Sequence, residues 1–436
     1  MPAAVPPVVA RCLGGIDLLE LLEREEWLRR RELRARSVLP DVSGIVTAVR
    51  DRGDQAVREL TLRYDGVDLR DRPLRVTEEE MRAAGERARK AQRGDLERAY
   101  RRLLDFHAAV EVTAGDPQVS GGVRLSLLTQ PLRRVAIYAP AGRAPLFSSV
   151  LMAAAAARAA GVGEIALASP PGPDGAVSPL VLLAADITGI REVYRVGGAQ
   201  AIAALAFGTE EIPAVDKIAG PGNRYVAAAK QAVYGTVDVD LIAGPSELLV
   251  VADAWADPRL IAADLLAQAE HDPDAEVALL ALGPRLVPAV VRELEAALPA
   301  SGPARDSLAH ASALVEPDVA KAIAAADAWA AEHLELHVAD WGPWIRSVRA
   351  GSVFVGARTP TALGDYAAGP THILPTGRST RSLSGLSKLH FLRTFSVTQV
   401  EEVDPELFGL AERLAEMEGL PEHARSLRLR AQDARR

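Results

Sequence analysis

From residue 134 onward the chain repeats one pattern, a short apolar run followed by an alanine-rich helical segment and then another short run. Parallel strands need long crossovers, and a sheet covered on both faces carries strands that read as unbroken apolar runs. Runs at 135–138, 164–168 and 193–196 alternate with helical segments at 148–160, 177–187 and 199–207. The pattern then restarts, with strands expected at 248–252, 277–282, 334–338 and 352–355 and helices at 258–270, 288–298 and 317–331. The expected fold is therefore α/β: two incomplete Rossmann-like parallel-sheet domains, 130–243 and 244–378. A mainly helical N-terminal segment, 1–129, precedes them, with helices read at 17–34, 42–64 and 96–110 and another opened by the capping-box pair Thr77 and Glu80. A small C-terminal helical tail, 379–436, follows, with helical stretches at 405–418 and 421–435. It is too small to fold alone and is expected to pack on another element or another subunit.

A formal charge of −8 argues against a dedicated nucleic-acid binder, which needs a basic field to displace counterions. The arginines at 29–31, 101 and 102 read as solvated helix faces. With Cys12 as its one cysteine the chain has no internal disulfide and no cysteine-based metal site, so any metal must be held by nitrogen and oxygen. No apolar stretch reaches membrane-spanning length, and residues 1–15 lack the basic start of a signal peptide. A cytoplasmic location is expected.

Gly161, Gly163 and Ala166 match a dinucleotide fingerprint in the wrong context, since they end a helix and precede a strand. Gly220-Pro221-Gly222-Asn223 is better placed, after a short apolar run and before a helix, where exposed N–H groups could approach an anion or ribose or simply form a capped turn. A second turn, residues 243–247, lies between the two α/β units and reads equally as a linker or the wall of a cleft. Four of the 8 histidines stand near acidic or amide groups. Gln268 and His271 share a helix face near its end; Glu332 and His333 lie between a helix and a strand, at the rim where α/β sites form; Asp365 precedes His372 in a glycine-rich loop; Glu418 and His423 flank the break in the tail. Each alone reads as a surface residue, but together they offer a mixed nitrogen and oxygen set suited to zinc.

Read in order, the segments 138–152, 196–209, 217–223, 243–253, 268–271, 332–335, 351–356, 364–376 and 384–387 resemble the histidinol dehydrogenase family. The resemblance implies a four-electron oxidation of L-histidinol to L-histidine through L-histidinaldehyde, with two hydrides passed to two NAD molecules. It implies zinc held by Gln268, His271, Asp365 and His423, His333 as general base and Glu332 as the residue that activates water. Ser246, His372 and Glu418 would contact substrate beside the metal ligands and His333, and Tyr138, Gln200 and Asn223 would contact NAD. It also implies a homodimer whose tails cross, so that Glu418 and His423 complete the neighbour's site.

The chain departs from the family pattern at Ala141, Ala331, Thr361, Thr371 and residues 388–390, none of them an implied ligand. These departures leave room for an alternative: a zinc- and NAD-dependent enzyme of the same scaffold acting on another polar alcohol, such as a sulfonated diol. A zinc hydrolase using Glu332 as base is a different class of reading, and it lacks the His-Glu-x-x-His helix such enzymes carry.

Overall fold

The apolar runs form two all-parallel sheets in a computed structural model that describes residues 18–35, 39–87, 90–112, 118–120, 122–141 and 145–433. The five-stranded sheet has the order Glu192–Arg195, Glu164–Ser169, Arg134–Tyr138, Lys217–Ala219, Asp238–Val239. Chain order runs outward from Arg134–Tyr138 in one direction and then resumes on its other side. The carboxyl ends of Arg134–Tyr138 and Lys217–Ala219 thus flank a topological switch point. The six-stranded sheet has the order Glu20–Leu21, Ser312–Val315, Glu276–Ala281, Glu247–Ala252, His333–His337, Ser352–Val355. Its reversal falls between Glu247–Ala252 and His333–His337.

Alanine explains how helices cover these sheets. In Phe147–Ala160 the side chains from Ser148 to Ala157 are all buried, and Gly198–Phe207 is buried from Ala199 to Ala206. Helices apolar all round lie inside, and small side chains let their backbones approach the strands closely. Gly161, in the left-handed conformation at φ 90, ends Phe147–Ala160 and donates its N–H to the Ala157 and Arg158 carbonyls. The apparent fingerprint at 161–166 is this helix cap. The capping box also forms, with Thr77 N donating to Glu80 Oε2 at 2.8 Å and Glu80 N to Thr77 Oγ1 at 3.2 Å.

The sequence pattern carries no signal for the short strands Asp238–Val239 and Ser312–Val315, and other details differ as well. Residues 17–34 were expected to be one helix, but Glu20–Leu21 adds a parallel edge strand against Ser312 and Ala313, and the helix is Arg24–Ala35. Within it Arg31 is not on a solvated face: its side chain is 1% exposed. Asp365 lies in a short helix, Thr361–Tyr366, rather than in a loop.

The chain divides into two compact units: residues 1–109 with 133–388, which hold both parallel sheets, and residues 110–132 with 389–436. In the smaller unit Leu392–Val400 pairs antiparallel with Val123–Pro131 along its whole length, and Gln118–Ser120 completes the sheet. The sequence reading had no strand in either long segment. Their residues are mostly exposed and show no clean alternation, so the usual strand signal is missing. The helices Pro405–Met417 and Pro421–Asp433 pack together, joined by Arg428 to Glu416 at 3.0 Å, with the turn made at Gly419 (φ 73). Among the described residues no helix is long and apolar enough to cross a membrane.

Candidate active site

The helix Val319–Trp329 stops at Ala330, a non-glycine residue in the left-handed region (φ 53). Such a conformation persists only where its surroundings hold it, and here Thr380 Oγ1 donates to the Ala330 carbonyl at 3.0 Å. Glu332 and His333 follow directly, both buried, with His333 opening its strand. They therefore stand at the amino ends of the central strands. This corrects the expectation that they occupy the rim where α/β sites form, which is the carboxyl rim.

Glu247 holds the pair. Its N–H donates to Glu332 Oε2 at 2.8 Å, and its carboxylate Oε2 accepts the Glu332 N–H at 3.2 Å. Its carbonyl lies 3.0 Å from His333 Nδ1, and a carbonyl only accepts, so Nδ1 carries the proton and neutral His333 presents Nε2 as its basic nitrogen. Burial disfavours the imidazolium, but the neighbouring Glu332 carboxylate, helped by Asp365 and the Glu247 carbonyl, outweighs it and lifts His333 to about 9. Burial raises Glu332 above the usual carboxylate range, with His333 opposing.

Asp365 draws the other predicted groups together. Its Oδ1 lies 3.9 Å from His333 Nε2 and 3.9 Å from His372 Nδ1, and its Oδ2 lies 3.9 Å from His271 Nε2. These separations are too long for hydrogen bonds. Gln268, His271, Asp365, Thr361, Asp264 and Tyr366 line an open cleft of about 40 Å³, room for an ion or a water at its base. Gln, His and Asp donors are a set that zinc accepts. His372 is fixed from both sides, with Nε2 2.9 Å from Ser149 Oγ and Nδ1 3.1 Å from the Asp365 carbonyl, and burial pushes its imidazole below the ordinary histidine value. Ser149 lies in the run 138–152 that carries the family resemblance, and only this contact gives it a role.

Beneath the cleft lies a group that the sequence reading missed. Asp264, Glu335 and His337 bring their ligand atoms within 4.8 Å of one another and could in principle hold an ion. Glu335 is engaged already: its Oε1 accepts Thr361 N at 2.7 Å and Thr361 Oγ1 at 2.6 Å, and its Oε2 lies 3.3 Å from His337 Nε2, while the buried His337 Nδ1 has no hydrogen-bond partner among the described residues. Burial and the Glu335 charge lift Asp264 to about 7. The network ties the helix of Gln268 to the helix of Asp365. Its signal in the sequence was Asp264, one helical turn before Gln268.

At the five-stranded sheet, Tyr138 and the turn from Gly220 to Asn223 meet at the switch point. Gly220 (φ 122) passes so close to Tyr138 that an added Cβ would lie 2.1 Å from the Tyr138 carbonyl oxygen. Asn223 Oδ1 caps the following helix, accepting Tyr225 N at 3.0 Å and Val226 N at 3.1 Å, while the exposed residue keeps its amide donors. Tyr138 Oη accepts the Gly198 N–H at 3.0 Å, and burial pushes its phenol up to about 12. Gln200 donates to Asp65 Oδ2 at 3.2 Å, which brings in a carboxylate that the sequence reading did not single out. Ser246 is half-buried just before the strand Glu247–Ala252. Glu418 and His423 belong to the smaller unit, both exposed, at the end of one helix and in the first turn of the next.

Fold and site together define an α/β enzyme with a buried acid–base pair beside a nitrogen and oxygen ligand set. The histidinol dehydrogenase family model matches residues 28–431. A histidinol dehydrogenase of Aromatoleum aromaticum is 45% identical over 400 residues, 90% of this chain and 91% of that protein. One from Thermus thermophilus is 44% identical over 89% of this chain and 93% of its own length. The crystal structure of histidinol dehydrogenase from Elizabethkingia anophelis superposes with a TM-score of 0.91 at 32% identity, covering 97% of this chain and 100% of that one. The chain belongs to the histidinol dehydrogenase family, oxidoreductases of histidine biosynthesis.

Proposed function

We propose that the chain carries out the NAD-dependent, zinc-assisted oxidation of L-histidinol to L-histidine through L-histidinaldehyde, the final steps of histidine biosynthesis, in the cytoplasm. The observation that carries this reading is the placement of one carboxylate, Asp365, opposite nitrogens of His271, His333 and His372 with Gln268 alongside. Gln268, His271 and Asp365 hold the zinc, with His423 supplied by a second copy of the chain. Zinc, when bound, supplies a Lewis acid that fixes the substrate's nitrogens.

The chain's own groups then divide the chemistry. His333 acts in its neutral form, with its Nδ1 proton turned to the Glu247 carbonyl; because its imidazole is lifted to about 9, raising the pH enlarges the fraction that can take the alcohol proton at Nε2 as the carbinol hydride leaves for the nicotinamide. Glu332 removes a proton from the water that attacks the aldehyde carbon, and a second hydride leaves from the resulting hydrate. Ser246, His372 and Glu418 contact the substrate, and Tyr138, Gln200 and Asn223 contact NAD at the switch point. The sharing of Glu418 and His423 calls for a homodimer. Exposed Leu407, Leu410, Leu414 and Met417 on the helix just before Glu418 support that reading, since an apolar stripe of this kind is an association surface.

The deciding experiment is the number of NAD reduced per histidinol consumed, for the wild type and for Glu332→Gln. Two per histidinol, with the second oxidation lost in the variant, is the expected result. No turnover of histidinol, with turnover of another polar alcohol, would replace this reading by the alternative substrate on the same scaffold.

A further inference from the structure

Arg31 reaches the floor of the site from a helix far away in the sequence. Its Nη2 lies 2.6 Å from Glu247 Oε2, its Nη1 2.7 Å from Glu276 Oε2, and its Nε donates to the Trp329 carbonyl at 3.1 Å. Its guanidinium lies 4.1 Å from the centre of the Trp329 ring, which is itself stacked on Trp27. Trp329 is the last residue of the helix that leads through left-handed Ala330 into Glu332. Arg31 therefore grips the Glu332–His333 segment from both sides: through Trp329 just before it, and through Glu247, which bonds both residues directly.

Glu247 has every acceptor engaged. Oε2 takes Arg31 and the Glu332 N–H, and Oε1 takes the Gly377 N–H at 2.7 Å. A carboxylate held by fixed donors on three sides does not rotate, and a fixed Glu247 fixes the backbone of the acid–base pair. Only a planar, forked cation serves two carboxylates, a carbonyl and an indole face at once.

We infer that Arg31 and Glu247 are positioning residues for the reaction: together they hold Glu332 and His333 in register with the reacting carbon, so that the N-terminal helix Arg24–Ala35 is part of the machinery. Neither touches a reacting atom. The inference rests on Glu332 being the residue that activates water for aldehyde oxidation.

The test compares both oxidations, with histidinol and with histidinaldehyde as substrate, in Arg31→Lys, Glu247→Gln, Glu332→Gln and the double variant Arg31→Lys/Glu332→Gln. Arg31→Lys keeps the charge and loses the fork. It is expected to lower kcat for the aldehyde by about tenfold or more, with KM changed by less than about threefold and the zinc content unchanged. Glu247→Gln, of nearly the same volume, is expected to do the same and carries the test if Arg31→Lys fails to fold. With histidinaldehyde the double variant is expected to be no slower than Glu332→Gln alone, since the effect on water activation needs the group it positions. Folded single variants with wild-type kcat, or losses that multiply in the double variant, would overturn the inference. A Glu332→Gln protein that oxidises the aldehyde normally would instead overturn the role of Glu332 beneath it.

Discussion

The two parallel sheets place their candidate site residues at opposite rims and by different means. At the five-stranded sheet the candidate cofactor groups stand at the carboxyl ends of the central strands and are largely backbone, a glycine turn and an asparagine cap. At the six-stranded sheet the acid–base pair stands at the amino ends and is built from buried charged side chains that hold one another. A backbone site needs space and a turn, which cost little. A side-chain site at a strand's start needs several charges out of water, and each must find a partner or cost several kcal/mol. The difference predicts which substitutions disable chemistry and which only weaken binding or stability.

The largest effect belongs to the acid–base pair. His333→Asn is expected to lower kcat for histidinol by about 10²–10⁴ with zinc content unchanged, as measured by NAD reduction at saturating substrate. A loss below about tenfold would remove His333 from the chemistry. Next comes the network under the cleft: Glu335→Gln is expected to weaken zinc retention by about 10–100-fold, read by competition with a chelator, because Thr361 and the helix of Asp365 lose their anchor. Unchanged retention would show that the two helices hold their ligands without it.

At the other rim the expected effect is smaller. Gly220→Ala drives a Cβ against the Tyr138 carbonyl and is expected to cost about 1–3 kcal/mol of stability and to raise KM for NAD more than it lowers kcat. A drop in kcat alone, with KM unmoved, would break the contrast between a binding rim and a chemical one.

The smallest effect tests the rule that buried ionisable groups need partners. His107 is fully buried and neither ring nitrogen has a hydrogen-bond partner among the described residues; burial holds it down to about 4. Between that value and the ordinary 6.5 the unfolded chain binds a proton that the fold excludes, so stability falls as pH drops from 6.5 toward 4. His107→Leu is expected to flatten that slope and to leave stability at pH 8 unchanged or raised, as measured by thermal melting across the range. An unchanged slope would assign the acid sensitivity to other groups.

What could be read from the sequence follows the same division. Most strands and helices of the two parallel sheets were legible because apolar runs and alanine-rich segments respond to local burial, whereas the short strands Glu20–Leu21, Asp238–Val239 and Ser312–Val315 were not; the turn at Gly220 was legible because glycine and proline punctuate the backbone. Glu332, His333, Gln268, His271 and Asp365 were found as residue types in suggestive places and through resemblance. Arg31 was read as solvated because an arginine between charged neighbours on a helix usually is, and only the partners at Glu247 and Glu276 reverse that. Asp264, Glu335 and His337 went unnoticed for the same reason. Each is ordinary alone, and what gives it a role is a contact across many residues of chain.

The pairing of Val123–Pro131 with Leu392–Val400 has a consequence for synthesis. A ribosome releases the five-stranded sheet's segments by about residue 240, and that sheet can assemble while the rest is being made. The nine-residue strand at Val123–Pro131 has no partner in its sheet but Gln118–Ser120 until Leu392–Val400, far along the chain, has been made. Until then it is a long open edge bearing Leu125, Leu127 and Leu128. Truncation before residue 392 should therefore convert that edge into a site of aggregation.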